Sequence, residues 1–487
     1  MGIPDLLRYL DKAKQKNVNI VQFSGRTLAV DTSCFLYKGL YAQAYENLHG
    51  IQSTKCIDYL EKTAKIITNA GIHAIFVFDG RTLPSKKLTN DKRLISRNEN
   101  REKAFELLKI GDKEGALKNF KRSFYVTKEL QEDCIKALRG MKNVDILVAP
   151  YEADAQLAFL VKEKLAYGVV TVDSDLIPFG CERIIYNLNV DSAMCEVIES
   201  SRIKECVCVQ LQSTFDLELL RYMCILKGCD YFGGLKGFAY KTAEKFFSKI
   251  SNRTPKNFIK HIRSITKLKI ENLKEFFEEF TRANNTFLYQ IVYDPRDGCQ
   301  KPLNPYPEEL LNELKNFKNT VETVEEGNHL WYAGNVVSKD VAKLLAIGNN
   351  FEDIIEEKIK FDIPENLPLN SIWKSLVDDS VEVKLLVDDS INDGNRYQNP
   401  KKRKCTRDSM DSECNILLKR SNTVTMVSDS KEVKEEVYEK ENSFIGLKNV
   451  IVVENGKSKY FKMEESMVEI KSFSQHKKKT PFSSPNK

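Results

Sequence analysis

Four short apolar, β-branched runs in this sequence each lead into an acid. Arg26–Val30 leads into Asp31 and His73–Phe78 into Asp79. Val144–Val148 passes through Ala149-Pro150-Tyr151 to Glu152, and Gly168–Val172 leads into Asp173-Ser174-Asp175. Near-continuous runs of this length suit strands buried on both faces of a parallel sheet. A further run, Arg183–Leu188, follows them. Between the runs lie helical patterns, such as Cys56, Leu60, Ala64 and Ile67, with Gly71 as a stop. Alternating strand and helix predicts an α/β fold, with a mostly parallel central sheet flanked by helices and right-handed crossovers. In such a sheet the carboxyl ends of the strands share one edge, where ligands bind. The acids are therefore brought together by topology, whatever the strand order.

A single Asp after a strand is more commonly a turn or helix cap. Capping does not explain acids after four strands, with doublets at Glu152-x-Asp154 and Asp173-x-Asp175. Clustered carboxylates repel one another unless cations neutralise them. Hard oxygen ligands favour Mg²⁺, with Mn²⁺ able to substitute. Two such ions, roughly 3.5–4 Å apart, would activate a water and stabilise a leaving oxygen in phosphoryl transfer. The competing chemistries are poorly supplied. The five histidines are scattered, and the twelve cysteines include no C-x-x-C pair. A zinc centre or a His-based triad is disfavoured, and the cysteines read as small core residues.

Cations follow the second acid. Lys86 precedes a helix carrying Arg93, Arg97 and Arg101 on one face. Such a row beside carboxylates can hold a scissile phosphate and a nucleic-acid backbone. An ordinary solvated face is the alternative, and Asp91, Glu99 and Glu102 dilute the charge. Further on, Lys227–Gly237 is Gly-rich and opens a helix-like stretch, Thr242–Ile250. Glycines there allow tight turns that expose N–H groups to phosphate. Asp230 within it is another candidate ligand.

The 487 residues exceed one ordinary core. Net charge is +6, which points mildly to an anionic partner. No apolar run reaches the roughly 18 residues of a membrane span, and the N-terminus lacks a signal-peptide pattern. The expected organisation is a block at 1–100, a helical spacer at 101–138, a second block at 139–226, a helical region at 227–350 and a largely disordered tail at 351–487. Within the tail, Lys401, Lys402, Arg403 and Lys404 form a basic run that reads as a nuclear localisation signal.

These elements together resemble the flap-endonuclease/XPG superfamily of 5′ nucleases. The resemblance rests on Met1-Gly2-Ile3, Val30-Asp31-Thr32 and Phe78-Asp79-Gly80, then on Ala149-Pro150-Tyr151-Glu152-Ala153-Asp154 through Ala158 and on Asp173-Ser174-Asp175-Leu176. It spans about 350 residues. Leu83–Lys87, Arg221–Leu226 and Arg282–Gln290 are similar to the branch of eukaryotic mismatch-repair 5′→3′ exonucleases. The short spacer argues against the branch with a very long one, and the absence of a clear clamp-binding box argues against flap endonucleases.

The resemblance implies a PIN/5′-nuclease-like fold and a Mg²⁺-dependent 5′→3′ exodeoxyribonuclease with flap activity, working in the nucleus on double-stranded DNA at nicks, gaps, 5′ ends or flaps. It implies metal ligation by Asp31, Asp79, Glu152, Asp154, Asp173, Asp175 and Asp230, with Lys86 and Arg93 at the scissile phosphate. It assigns DNA contacts to Gly2, Tyr37, Arg97, Gly233, Gly234, Gly237 and Lys241, the glycines in a helix-two-turn-helix holding a potassium ion. Lys457, Ser458, Lys459, Tyr460 and Phe461 resemble a box that binds the MutL homologue. The chain is expected to act as a monomer away from membranes. Ser33, Ser96, Asn187 and Ala239 depart from the family's pattern, which has Tyr, Arg, Lys and Gly there. A flap endonuclease, or a non-catalytic DNA-binding repair scaffold, is the alternative.

Overall fold

The computed structural model describes residues 2–266, 268–312 and 330–376, and strands at 438–441, 448–454 and 457–462. The chain divides into units at 1–399 and 400–487.

The first unit is built on a seven-stranded sheet. Its strands are β1 (Lys14–Asn19), β2 (Thr27–Asp31), β3 (His73–Phe78), β4 (Val144–Val148), β5 (Gly168–Thr171), β6 (Arg183–Tyr186) and β7 (Met194–Glu199), in the order β1-β7-β6-β5-β2-β3-β4. The centre, β6-β5-β2-β3-β4, is parallel, as the apolar runs predicted. The chain lays down β2, β3 and β4 in one direction, then returns to place β5 on the other side of β2. This reversal creates a topological switch point between β2 and β5, the place where open α/β sheets bind ligands.

The central strands are buried on both faces, and successive side chains alternate between two cores. Ala29, Ile75 and Val77 face one core, while Leu28, Val30, Phe76 and Phe78 face the other. Helices cover both faces. Those that position the site are α1 (Thr32–Ala42), α2 (Lys55–Asn69), α3 (Lys87–Lys109), α4 (Lys113–Arg122), α5 (Lys128–Arg139) and α6 (Ala153–Lys162). Beyond them come α7 (Leu217–Lys227), α8 (Tyr240–Phe247), α9 (Pro255–Thr266) and α10 (Leu273–Tyr289). The branch motifs at Arg221–Leu226 and Arg282–Gln290 meet here, because Arg221 Nε donates to Asn284 Oδ1 at 2.8 Å in the buried α7–α10 interface.

Two strands of this sheet, β1 and β7, escaped the sequence reading, as did the antiparallel hairpin Ile291–Asp294 with Cys299–Pro302 inside the stretch expected to be helical. β1 (Lys-Gln-Lys-Asn-Val-Asn) buries only Val18, so it has no apolar run, and it pairs antiparallel to β7 at the sheet edge. A charged edge strand resists pairing with other chains. The ten described cysteines are free, and seven are buried, including Cys34, Cys56 and Cys134.

The folded body also runs past the boundary expected at 350. Phe361, Ile372 and Trp373 are buried apolar residues in an otherwise polar stretch. The Phe361 N–H donates to Asn349 Oδ1 at 2.9 Å. Ser371 Oγ and the Ile372 N–H donate to the buried Asp145 of β4 at 2.9 and 2.8 Å, and His73 Nε2 lies 3.1 Å from the same carboxylate. The first unit also holds an antiparallel hairpin, β8 (Ile291–Asp294) and β9 (Cys299–Pro302). The second unit holds a three-stranded antiparallel sheet, β10 (Tyr438–Glu441), β11 (Lys448–Glu454) and β12 (Lys457–Lys462). The Lys457–Phe461 box falls on β12, and the basic run Lys401–Lys404 lies outside the described residues. No helix among the described residues is long and apolar enough to cross a membrane.

Trp373 is 2% exposed, with its ring 6.1 Å from that of Tyr293. Trp373→Ala should therefore lower the unfolding free energy by roughly 3–5 kcal/mol, measured by urea denaturation. A change below about 1 kcal/mol would show that the segment after 350 adds little to the body.

Candidate metal and phosphate site

Asp31 closes β2 and Asp173 follows β5, so the two flank the switch point. Both are nearly buried, at 4% and 9% exposure. Val30 pairs with Val170 across the parallel ladder, which sets Thr171 beside Asp31. Thr171 Oγ1 donates to Asp31 Oδ2 at 2.6 Å and accepts the Asp173 N–H at 2.9 Å. The Asp175 N–H in turn donates to Asp173 Oδ1 at 3.1 Å. Asp79, beyond β3, accepts from Ser33 Oγ at 2.6 Å and from the Ala153 N–H at 2.8 Å. It thereby caps α6, whose own N-cap residue Glu152 makes no capping bond. Freed from capping, Glu152 pairs with Lys86 and accepts from Tyr231.

The second shore of the site comes from α3 and the Gly-rich turn. Lys86 Nζ lies 2.9 Å from Asp230 Oδ2. Arg93 grips both oxygens of Asp230, at 2.7 and 2.9 Å, and Thr89 Oγ1 donates to its carbonyl at 2.7 Å. The turn is closed by Gly234, at φ +75°, where a Cβ would stand 2.6 Å from the Gly228 nitrogen. Gly233 faces open space and Gly237 adopts φ +86°. Ala239 sits at φ −95°, ψ 160°, an ordinary extended conformation, so alanine in place of glycine costs the backbone nothing. Asn187 adopts φ +55°, a left-handed geometry that asparagine tolerates better than lysine.

The N-terminus completes the enclosure. Gly2, at φ +90°, is packed so that a Cβ would lie 2.2 Å from Asp173 Oδ1 and 2.8 Å from Asp175 Oδ1. The Ile3 N–H donates to Ser174 Oγ at 2.9 Å. Tyr37 and Arg97 lie on the rim. Burial raises the Tyr37 phenol against the lowering effect of Arg97, and the Asp79 charge adds to the rise. Lys241 on α8 pairs with Glu244 at 3.0 Å. Ser96 accepts from Asn100 one turn on.

The electrostatics follow from packing acids together. Burial pushes Asp31 up to about 7 against its bond from Thr171, with the charges of Asp79 and Asp173 adding to the rise. Burial likewise raises Asp154 and Asp175 well above the carboxylate range; Asp173, Asp31 and Asp175 act on the first, Asp173 and Asp230 on the second. Burial opposes the Lys86 charge, yet Glu152, Asp230 and Asp154 hold its ammonium well above the ordinary lysine value. Asp230 is lowered despite burial because Lys86 and Arg93 face it.

The seven acids thus share one field, but they are not posed as a finished metal cage. Among the described residues no three His, Cys, Asp or Glu side chains converge closely enough to hold an ion as placed. Lys86 occupies Glu152 and Asp230, and Thr171, Ser33 and the Ala153 N–H take oxygens of Asp31 and Asp79. The donor set nevertheless fits a hard divalent cation, since it is all carboxylate. Asp175 Oδ1 is buried without a hydrogen-bond partner, as an unused ligand oxygen would be. Thr171, Ser33, Tyr231 and Thr89 were missed in the sequence because their roles depend on strand order and on contacts across distant segments.

Comparison with known proteins agrees with this layout. The XPG N-terminal domain matches residues 1–100, which hold Asp31 and Asp79, and the XPG I-region matches residues 143–230, which hold the other five acids. The chain is 35% identical to exonuclease 1 of Danio rerio over 384 residues, covering 78% of this chain and 45% of that protein. It is 36% identical to exonuclease 1 of Xenopus laevis over 349 residues, covering 72% and 45%. With exodeoxyribonuclease 1 of Schizosaccharomyces pombe it shares 35% identity over 314 residues, covering 64% and 53%. The chain spans about half the length of these relatives.

A raised folded-state pKa makes the folded protein bind the extra proton. For Asp31, that stabilisation is complete below the ordinary carboxylate pKa and is lost as pH rises toward about 7. In chelator, the melting temperature should fall between pH 5 and pH 8 through this group. Mg²⁺ should raise it more at pH 8 than at pH 5, because protons and metal compete for the same oxygens. Equal Mg²⁺ stabilisation at both pH values in differential scanning calorimetry would contradict this.

Proposed function

The chain belongs to the XPG family, and from that premise we propose that it is a structure-specific 5′→3′ exodeoxyribonuclease with flap activity, acting on double-stranded DNA at nicks, gaps, 5′ ends and flaps in mismatch repair and end resection. The observation that carries this reading is the convergence of seven acids, Lys86 and Arg93 at the switch-point edge of the sheet. The three relatives named above are exonucleases by name, which supports the same reaction class.

Nucleases of this family are metal-dependent. Asp31, Asp79, Glu152, Asp154, Asp173, Asp175 and Asp230 would hold two Mg²⁺ ions, or Mn²⁺ in their place, and these supply an activated water and stabilisation of the leaving 3′ oxygen. This chain's own side chains do the rest. Lys86 and Arg93 bring fixed positive charge to the acids' mouth, where they orient the phosphodiester and stabilise charge growing on its non-bridging oxygens. Tyr231 and Thr171 keep Glu152 and Asp31 from swinging. Gly2 leaves no side chain between the N-terminus and Asp173. Terminal nucleotides must unpair to reach buried acids, so breaks and ends are favoured over intact duplex.

Duplex backbone would run over Arg97 and the turn at Gly233, Gly234 and Gly237, with Lys241 beyond it. Backbone carbonyls of that turn would take K⁺, and Tyr37 would stack on a base. The Lys457–Phe461 box would dock the MutL homologue, and Lys401–Lys404 would direct the chain to the nucleus.

Progressive release of nucleotides from the 5′ side of a nick in Mg²⁺, followed on 5′- and 3′-labelled nicked, flapped and blunt duplexes, is the expected result. A single cut at a flap base would favour a flap endonuclease, and binding without cutting a repair scaffold. Asp175→Ala should abolish cutting while DNA affinity stays within about threefold. Lys86→Ala should lower kcat roughly 10²–10³-fold; full activity in either variant contradicts the assignment.

A further inference from the structure

The hydroxyl of Thr171 bridges Asp31 and the turn that carries Asp173. β2 supplies Asp31, and the turn after β5 supplies Asp173 and Asp175. These strands are parallel neighbours only because the chain crosses back over β2. Thr171 is wholly buried. Its oxygen accepts the Asp173 N–H at 2.9 Å, which leaves its single proton for Asp31 Oδ2 at 2.6 Å. The Asp175 N–H donates to Asp173 Oδ1 at 3.1 Å. A directed relay of two hydrogen bonds therefore runs from the Asp173 amide through Thr171 to Asp31, while the Asp173 carboxylate accepts separately from the Asp175 amide. Bonds aligned in this way polarise one another in a buried setting. A β-branched side chain is stiff at χ1, so the hydroxyl is held on this line at little entropic cost.

We propose that Thr171 is a positioning residue that fixes the spacing of Asp31 and Asp173 across the switch point and so sets the affinity of the acid cluster for divalent cations. This rests on the metal-dependent nuclease reading above. Thr171 holds one Asp31 oxygen, Oδ2. Without the hydroxyl, Asp31 loses its side-chain partner and the Asp173 turn loses its acceptor. Electrostatic repulsion would then drive the two carboxylates apart. Valine fills the same volume without the bonds, and serine keeps the bonds without the methyl group.

The test uses the full chain without DNA, with Mn²⁺ binding followed by isothermal titration calorimetry and electron paramagnetic resonance. Thr171→Val should weaken Mn²⁺ binding by about tenfold and raise the Mg²⁺ concentration for half-maximal cutting by a similar factor. Thr171→Ser should restore both to within about twofold. Affinity for nicked duplex in chelator, which reports the intact fold, should be unchanged in each. Should the valine variant not fold, Thr171→Ala supplies the hydroxyl-free comparison. Wild-type Mn²⁺ affinity in a folded hydroxyl-free variant overturns this inference alone. A wild-type chain that binds no Mn²⁺ and cuts no DNA overturns the nuclease reading and this inference with it.

Discussion

Mutual repulsion among carboxylates at one edge of a parallel sheet governs much of this molecule. The strands force Asp31, Asp79, Glu152 and Asp173 to a shared edge, and the doublets add Asp154 and Asp175. A low-dielectric setting makes that crowding expensive. The structure offsets it by hydrogen bonds from Thr171, Ser33, Tyr231 and the Ala153 N–H, and by the charges of Lys86 and Arg93. The offset is incomplete: Asp31, Asp154 and Asp175 keep raised pKa values and Asp175 Oδ1 keeps no partner. Residual anionic strain of this kind marks a site organised for something positive to enter.

The surrounding architecture makes sense in those terms. Asp230 comes from the Gly-rich turn, yet it is tied to α3 through Thr89 and Arg93. The N-terminal segment is tied at both ends. Gly2 and Ile3 pack against Asp173 and Ser174, while Tyr9 stacks on Tyr240 at 4.5 Å and donates to Glu244 on α8 at 2.9 Å. Asp5 pairs with Lys227, where the Gly-rich turn begins. The carboxylate cluster and the turn assigned to duplex backbone are thus joined by short, well-packed links.

Much of this was legible before any coordinates. Apolar runs ending in acids gave the parallel core and the convergence of the acids, because period and topology are local and general properties. What escaped had no local signature. β1 is polar and pairs only because β7 lies beside it. Phe361, Ile372 and Trp373 are sparse in a charged stretch, and only Asn349 and Asp145, far away in sequence or buried, reveal their docking. Thr171 and Ser33 look like ordinary residues until strand order puts them against Asp31 and Asp79. Ala239 shows the reverse: φ and ψ, which the sequence does not reveal, place it in ordinary extended backbone where a side chain costs nothing.

The most direct check is anomalous diffraction from crystals of the chain soaked in Mn²⁺. Manganese density bounded by Asp31, Glu152, Asp173 and Asp175, with Lys86 displaced from Glu152, is the result expected. Crystals that take up Mn²⁺ elsewhere while this cluster keeps its Lys86 pairs and stays empty would contradict the account.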